Sequence, residues 1–129
     1  MDNFAVEAET ALAEMETALF EARPDAPRRL QPGLVGDAVR SADAQLDRLQ
    51  IPHDHALFEM VARRWEKGYP ADIEYEADLR DLKDEAISTR EEIQALRRDV
   101  LRQERGFAAM QLDMDRVKTR LDLQDNPPS

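Results

Sequence analysis

Residues Tyr75–Leu121 read YEADLRDLKDEAISTREEIQALRRDVLRQERGFAAMQLDMDRVKTRL, and the spacing of their apolar side chains decides the fold. Alternate steps of four and three land on Tyr75, Leu79, Leu82, Ala86, Thr89, Ile93, Leu96, Val100, Gln103, Phe107, Met110, Met114, Val117 and Leu121. Only Thr89 and Gln103 in that series are not apolar. A seven-residue repeat held this long is the mark of a left-handed coiled coil. No proline interrupts it, and Gly106 is its one glycine.

With Leu79, Ala86, Ile93, Val100, Phe107, Met114 and Leu121 at heptad position a, the other seven fall at d. The flanking g column is then mostly acidic (Asp78, Glu85, Glu92, Asp99, Asp113) and the e column mostly basic (Lys83, Arg90, Arg97, Lys118). In a parallel pair, g of one chain faces the following e of the other. That arrangement sets Asp78 against Lys83, Glu85 against Arg90, Glu92 against Arg97 and Asp113 against Lys118, with Asp99–Glu104 the one repulsive pair. An antiparallel pair sets acid against acid. Each exposed pair contributes only about 0.3–0.5 kcal/mol, but all act in the same direction. The chain is therefore read as a parallel homodimer. Thr89 and Gln103 weaken the seam and fix its register. Gly106 costs about 1 kcal/mol relative to Ala. With Phe107, Met110 and Met114, it marks a looser stretch and the candidate contact for a protein partner.

Three shorter helices are expected before this one. The first spans about 3–22, with Asp2 or Asn3 as cap, an apolar stripe from Phe4 to Ala22, and Glu7, Glu9, Glu14, Glu16 and Glu21 on the opposite face. Pro24, Pro27 and Pro32 make 23–33 a connector, with Arg28 and Arg29 in its middle. The second spans about 34–50, stopped by Ile51-Pro52 because a residue before proline is pushed out of the helical region. The third spans about 54–67, with Asp54 as N-cap, Trp65 as core anchor and Gly68 in the left-handed position after its end. Pro70 opens the long helix, about 71–124, and 125–129 is a tail. The expected organisation is all-α: an N-terminal helical domain over 1–70 followed by the coiled coil. An intramolecular alternative makes the long helix the spine of a four-helix bundle. At roughly 50 residues, or about 75–80 Å, it outruns any cover that helices of about 14–20 residues can give. The mixed arrangement is favoured, a parallel dimer whose N-terminal helices gather round the start of the coil.

Composition narrows the function. The chain has 28 acidic and 18 basic residues, a formal charge of −10, so a nucleic-acid backbone is repelled unless bases cluster somewhere. Dividing the chain at Pro70 finds the acid excess on both sides. There is no cysteine, which excludes disulfides, thiolate metal sites and a Cys nucleophile. Residues 1–9 carry three acids and no base, unlike a secretory signal, and no apolar run reaches membrane length. A cytoplasmic protein is expected, and the Ala/Arg/Asp-rich usage is bacterial or phage-like.

Catalytic constellations are not found. Four glycines leave no phosphate-cradling loop, and carboxylates on polar helix faces lack the burial that general acid–base work requires. His53-Asp54-His55 with Glu59 is the only metal-like cluster, but two histidines at a helix start are expected to diverge, so no metal and no cofactor is assigned. A helix-turn-helix drawn through the second and third helices would put Arg63, Arg64 and Lys67 at the wrong end for base contacts. The sequence therefore predicts a non-enzymatic dimeric scaffold or adaptor, binding itself and a protein partner. The alternatives are an acidic nucleic-acid mimic built on the first helix and, behind it, a coiled-coil DNA-binding regulator.

Overall fold

A computed structural model describes residues 3–24 and 31–125, with side chains to 122. Asp2 as a cap, Arg28 and Arg29, and the tail from 126 lie outside the described residues. Four helices follow in order: α1 (Asn3–Glu21), α2 (Pro32–Arg48), α3 (His55–Glu66) and α4 (Asp72–Asp125), with no strand among the described residues.

The ends of α2 differ from the sequence reading, and both differences have local causes. Pro32 is the first residue of the helix rather than part of the connector. Its fixed φ suits that position, where the missing N–H would have had no helical partner. At the other end Gln50 turns left-handed, at φ 58°. Its N–H bonds to the Asp47 carbonyl at 3.0 Å, and the Ile51 N–H reaches the Leu46 carbonyl at 2.9 Å. This pair of bonds is a Schellman closure. Buried Ile51 and Leu46 supply its apolar contact. The helix thus stops at Arg48 through a left-handed residue, before the proline restriction acts.

At the start of α3, the Asp54 carboxylate accepts the Leu57 N–H at 3.1 Å. The Asp54 N–H is taken in turn by Glu85 of α4, also at 3.1 Å. A capping box normally draws that second bond from within the same helix; here a neighbouring helix provides it. Gly68 has φ 136° just after α3, a conformation that costs glycine little.

The chain divides into two compact units, Met1–Gln94 and Ala95–Ser129. In the first, α2 packs against both α1 and α3. Gly36 marks the close approach of α2 to α3, since a Cβ there would lie 3.1 Å from the Ala62 carbonyl oxygen. The core is built from Leu12, Met15 and Leu19 of α1, Val35, Val39 and Leu46 of α2, and Phe58, Val61 and Trp65 of α3. Each large apolar side chain so buried contributes about 1.5–3 kcal/mol. Trp65 meets Tyr69 and Tyr75 edge-on, both at 6.1 Å between ring centroids.

The first part of α4 completes this bundle. Tyr75, Leu82, Ala86, Thr89 and Ile93 are buried within the single chain. The Tyr75 hydroxyl donates to the Leu19 carbonyl at 2.9 Å, satisfying one of the last orphan carbonyls of α1. Arg90 bonds Glu16 of α1 at 2.5 Å, and Arg64 of α3 bonds Asp78 at 2.7 Å. The compact unit therefore extends to Gln94 rather than ending near Pro70, and α1–α3 cover the seam to Ile93. In the second unit α4 continues as helix, and every side chain from Leu101 to Asp122 is exposed.

Candidate functional site

The heptad residues have two different fates. Up to Ile93 they are bundle core, with Leu79 partly covered. From Leu96 they lose cover step by step: Leu96 and Val100 are intermediate and Gln103 is exposed. Phe107 is then 67% exposed, Met110 60%, Met114 62%, Val117 56% and Leu121 53%. Met114, Val117 and Leu121 line a shallow apolar trough flanked by Asp113 and Lys118. Gly106 sits in helical backbone with open space around it. A folded chain rarely leaves such a row bare unless something else covers it.

The charge columns divide in the same place. Asp78 is committed to Arg64, Glu85 caps Asp54, and Arg90 is bonded to Glu16. Lys83, Glu92, Arg97 and Lys118 are exposed, while Asp113 lies 3.9 Å from Arg116 one turn on. Asp78 is the most altered acid. Its side chain is 1% exposed, with Oδ1 held by Arg64 at 2.7 Å. Burial pushes its pKa up to about 6; Arg64 opposes that rise and the charges of Glu74 and Asp81 add to it.

The histidine reading needs correction, because His53 and His55 do not diverge. His53 Nε2 lies 2.5 Å from Asp43 Oδ1 and 3.7 Å from Asp47 Oδ1, while His55 Nδ1 lies 2.6 Å from Asp43 Oδ2. The Schellman turn folds the chain back on α2 and carries both rings to the same carboxylate. His53 is held from behind, with Nδ1 2.9 Å from the Ile51 carbonyl and its ring edge-on to Phe58 at 5.2 Å. His55 Nε2 reaches Glu59 at 3.4 Å. The Asp43 carboxylate, through its hydrogen bond and then its charge, holds the His55 imidazole above the usual histidine range.

Compared with protein-family models, curated proteins and solved structures, the chain matches none.

The basic residues of the supposed recognition helix are largely engaged: Arg64 with Asp78, and Arg63 with Glu59 at 2.7 Å. In α1, Glu7 is bonded to Arg48 at 2.6 Å and Glu16 to Arg90, so two of its five glutamates are paired within the bundle. Among the described residues no helix is long and apolar enough to cross a membrane. Sequence reasoning missed the meeting of Asp43 and Asp47 with the two histidines. The available signal was their spacing: i, i+4 carboxylates on α2, then two histidines just beyond the turn that reverses the chain.

Proposed function

We propose that the chain is a non-enzymatic dimeric assembly module, in which two copies pair in parallel through Leu96–Leu121 and present an adaptor surface to a protein partner. The observation that carries this reading is the bare apolar row from Phe107 to Leu121, which continues the heptad register after the bundle has covered its first half. The stretch of 26 residues from Leu96 to Leu121 spans between three and four heptads, about the length a coiled coil needs. Five of its side chains from each copy stand ready for burial, each contributing up to about 1.5–3 kcal/mol. Over the ten side chains that is an upper bound of about 15–30 kcal/mol, above the roughly 4–15 kcal/mol that association itself costs.

Orientation rests on fewer charges than the sequence offers, because the bundle employs Asp78, Glu85 and Arg90. Within Leu96–Leu121, Asp113–Lys118 favours the parallel pair and Asp99–Glu104 opposes it; Glu92, outside that stretch and beside the buried Ile93, adds to the parallel side only where it reaches Arg97 at the edge of the coil. The seam would hide Phe107, Met110 and Met114 between the two copies. Leu101 and Leu112 stay outside it, on one face three helical turns apart, and both are exposed. A protein partner would find them beside the coil near Gly106.

This reading is favoured over nucleic-acid mimicry because α1 lacks an unbroken acidic row once Glu7 and Glu16 are paired. It is favoured over a DNA-binding regulator because Arg64 is spent inside the bundle. Light scattering over a range of concentrations tests it: wild type is expected to reach the mass of two chains, and Val117→Glu to remain one. A wild-type monomer at every concentration would overturn the proposal. The chain has no native cysteine, so Val117→Cys should crosslink to its own copy in a parallel pair.

A further inference from the structure

The second cluster of side chains belongs to a different kind of chemistry. Asp43 and Asp47 of α2, His53 of the turn and His55 at the start of α3 each bring one donor atom, and the four atoms lie within 4.8 Å of one another. We propose that these four residues form a binding site for a divalent transition-metal ion of the zinc class, clasping the α2–α3 turn.

Three observations carry the proposal. The first is the orientation of His53. Its Nδ1 is 2.9 Å from the Ile51 carbonyl, which can only accept. The N–H of the neutral ring is therefore at Nδ1, and the Nε2 lone pair points into the cluster. There it meets a carboxylate oxygen at 2.5 Å, another acceptor. Two lone pairs do not face each other so closely without a positive charge between them, either a proton or a metal ion. A backbone carbonyl that takes one ring N–H and leaves the other nitrogen facing inward is the usual support of a metal-bound histidine.

The second is the donor set. Two imidazole nitrogens and two carboxylate oxygens make four donors, the number a tetrahedral zinc ion takes, and the two carboxylates balance its charge. Calcium wants six to eight oxygens and magnesium a near-octahedral oxygen shell, so imidazoles select against both. Nickel, cobalt and copper accept the same donors, which makes the chemical class the inference rather than one element.

The third is geometry. Donors around a tetrahedral ion with bonds of about 2.0–2.2 Å stand about 3.3 Å apart. The His53–Asp47 separation of 3.7 Å is close to that. The two contacts to Asp43, 2.5 and 2.6 Å, must open by under one ångström. The adjustable members are the outer ones, since Asp47 and His55 are about 60% exposed while His53 is 2% exposed. The buried ring is a fixed post, and the exposed pair can close on an ion from the solvent side.

The full chain, treated with a chelator and then dialysed free of it, is titrated with Zn2+ by calorimetry and with Co2+ by visible absorption. Melting temperature is read with Zn2+, with Mg2+ and with neither. Wild type is expected to bind one Zn2+ per chain, to melt higher with Zn2+ than with Mg2+ or with neither, and to give the intense Co2+ absorption of a tetrahedral site. His55→Ala and Asp47→Asn are expected to weaken Zn2+ binding roughly tenfold or more, with metal-free melting close to that of wild type. These exposed residues are chosen so that the Phe58-packed ring of His53 stays in place. No Zn2+ binding would show that a proton sits between His53 and Asp43, and would overturn the proposal. So would an equal response to Mg2+, or Zn2+ binding that both variants retain.

Discussion

Single residues in this chain hold positions that ordinary preferences oppose. Gln50 adopts a left-handed conformation at φ 58°, which costs an L-residue with a side chain about 1–2 kcal/mol. The Schellman bonds and buried Ile51 offset that cost. Gln50→Gly is expected to raise stability by about 1 kcal/mol, read as a higher urea midpoint. A lower midpoint would mean that the Gln50 side chain makes a contribution of its own. Tyr75→Phe removes the donor to the Leu19 carbonyl and leaves that acceptor unpaired, so about 1–3 kcal/mol should be lost. Asp78 supplies a pH dependence. Its folded-state pKa is raised from 3.8 to about 6, so the fold prefers the protonated acid. Stability from this group is full below pH about 4 and is lost as the pH rises through about 6. Wild type should therefore gain urea resistance relative to Asp78→Asn as the pH is lowered across that window. A difference that does not change with pH would show that Asp78 titrates in the fold as it does in the unfolded chain.

At the level of elements, periodicity was legible and cover was not. The heptad row from Tyr75 to Leu121 announces one apolar face on a long helix, but nothing in a seven-residue repeat says whether a second copy or the chain's own helices lie against it. Leu82 and Val117 have the same d position and opposite surroundings, one fully buried and the other 56% exposed. Asp78, read as a surface charge from its g position, faces Arg64 because α3 lies over that edge of α4. Capping was readable where it is local, as with Asp54, and unreadable where Glu85 supplies it from another helix. The histidine cluster was missed for the same reason: its carboxylates come from α2, beyond a turn whose geometry depends on Gln50. Paired substitutions separate the two kinds of seam. Leu82→Ala is expected to destabilise the bundle by about 2–5 kcal/mol, equally at every protein concentration. Val117→Ala should leave the unfolding of the bundle unchanged and weaken self-association alone. Were both to act on self-association alone, the first half of the row would also lie between copies.

For the molecule as a whole, the two units differ in charge as well as in cover. Residues 1–94 carry 22 acidic and 11 basic side chains, whereas 95–129 carry six and seven. The acid excess therefore resides in the bundle, and the stretch proposed to pair, Leu96–Leu121, is mildly basic, with four acidic and seven basic side chains. A parallel coil joins two copies of the −11 unit on the same side of the seam, where they repel; an antiparallel coil starts them from opposite ends. Salt screens that repulsion, since its range falls to about 8 Å at physiological ionic strength. A parallel dimer is therefore expected to tighten as salt is raised, and an antiparallel one to change little. A chain ending at Gln94 removes the pairing segment and keeps the buried seam residues Tyr75, Leu82, Ala86, Thr89 and Ile93. It should unfold cooperatively and remain a monomer at every concentration, while the full chain shows a transition that depends on concentration. Dimerisation of the shortened chain would place the interface on the bundle. Failure of the shortened chain to fold would show instead that the bundle draws its stability from residues beyond Gln94. Sedimentation of both chains at low and high salt separates these cases in one series, because charge acts on the bundle and apolar burial on the coil.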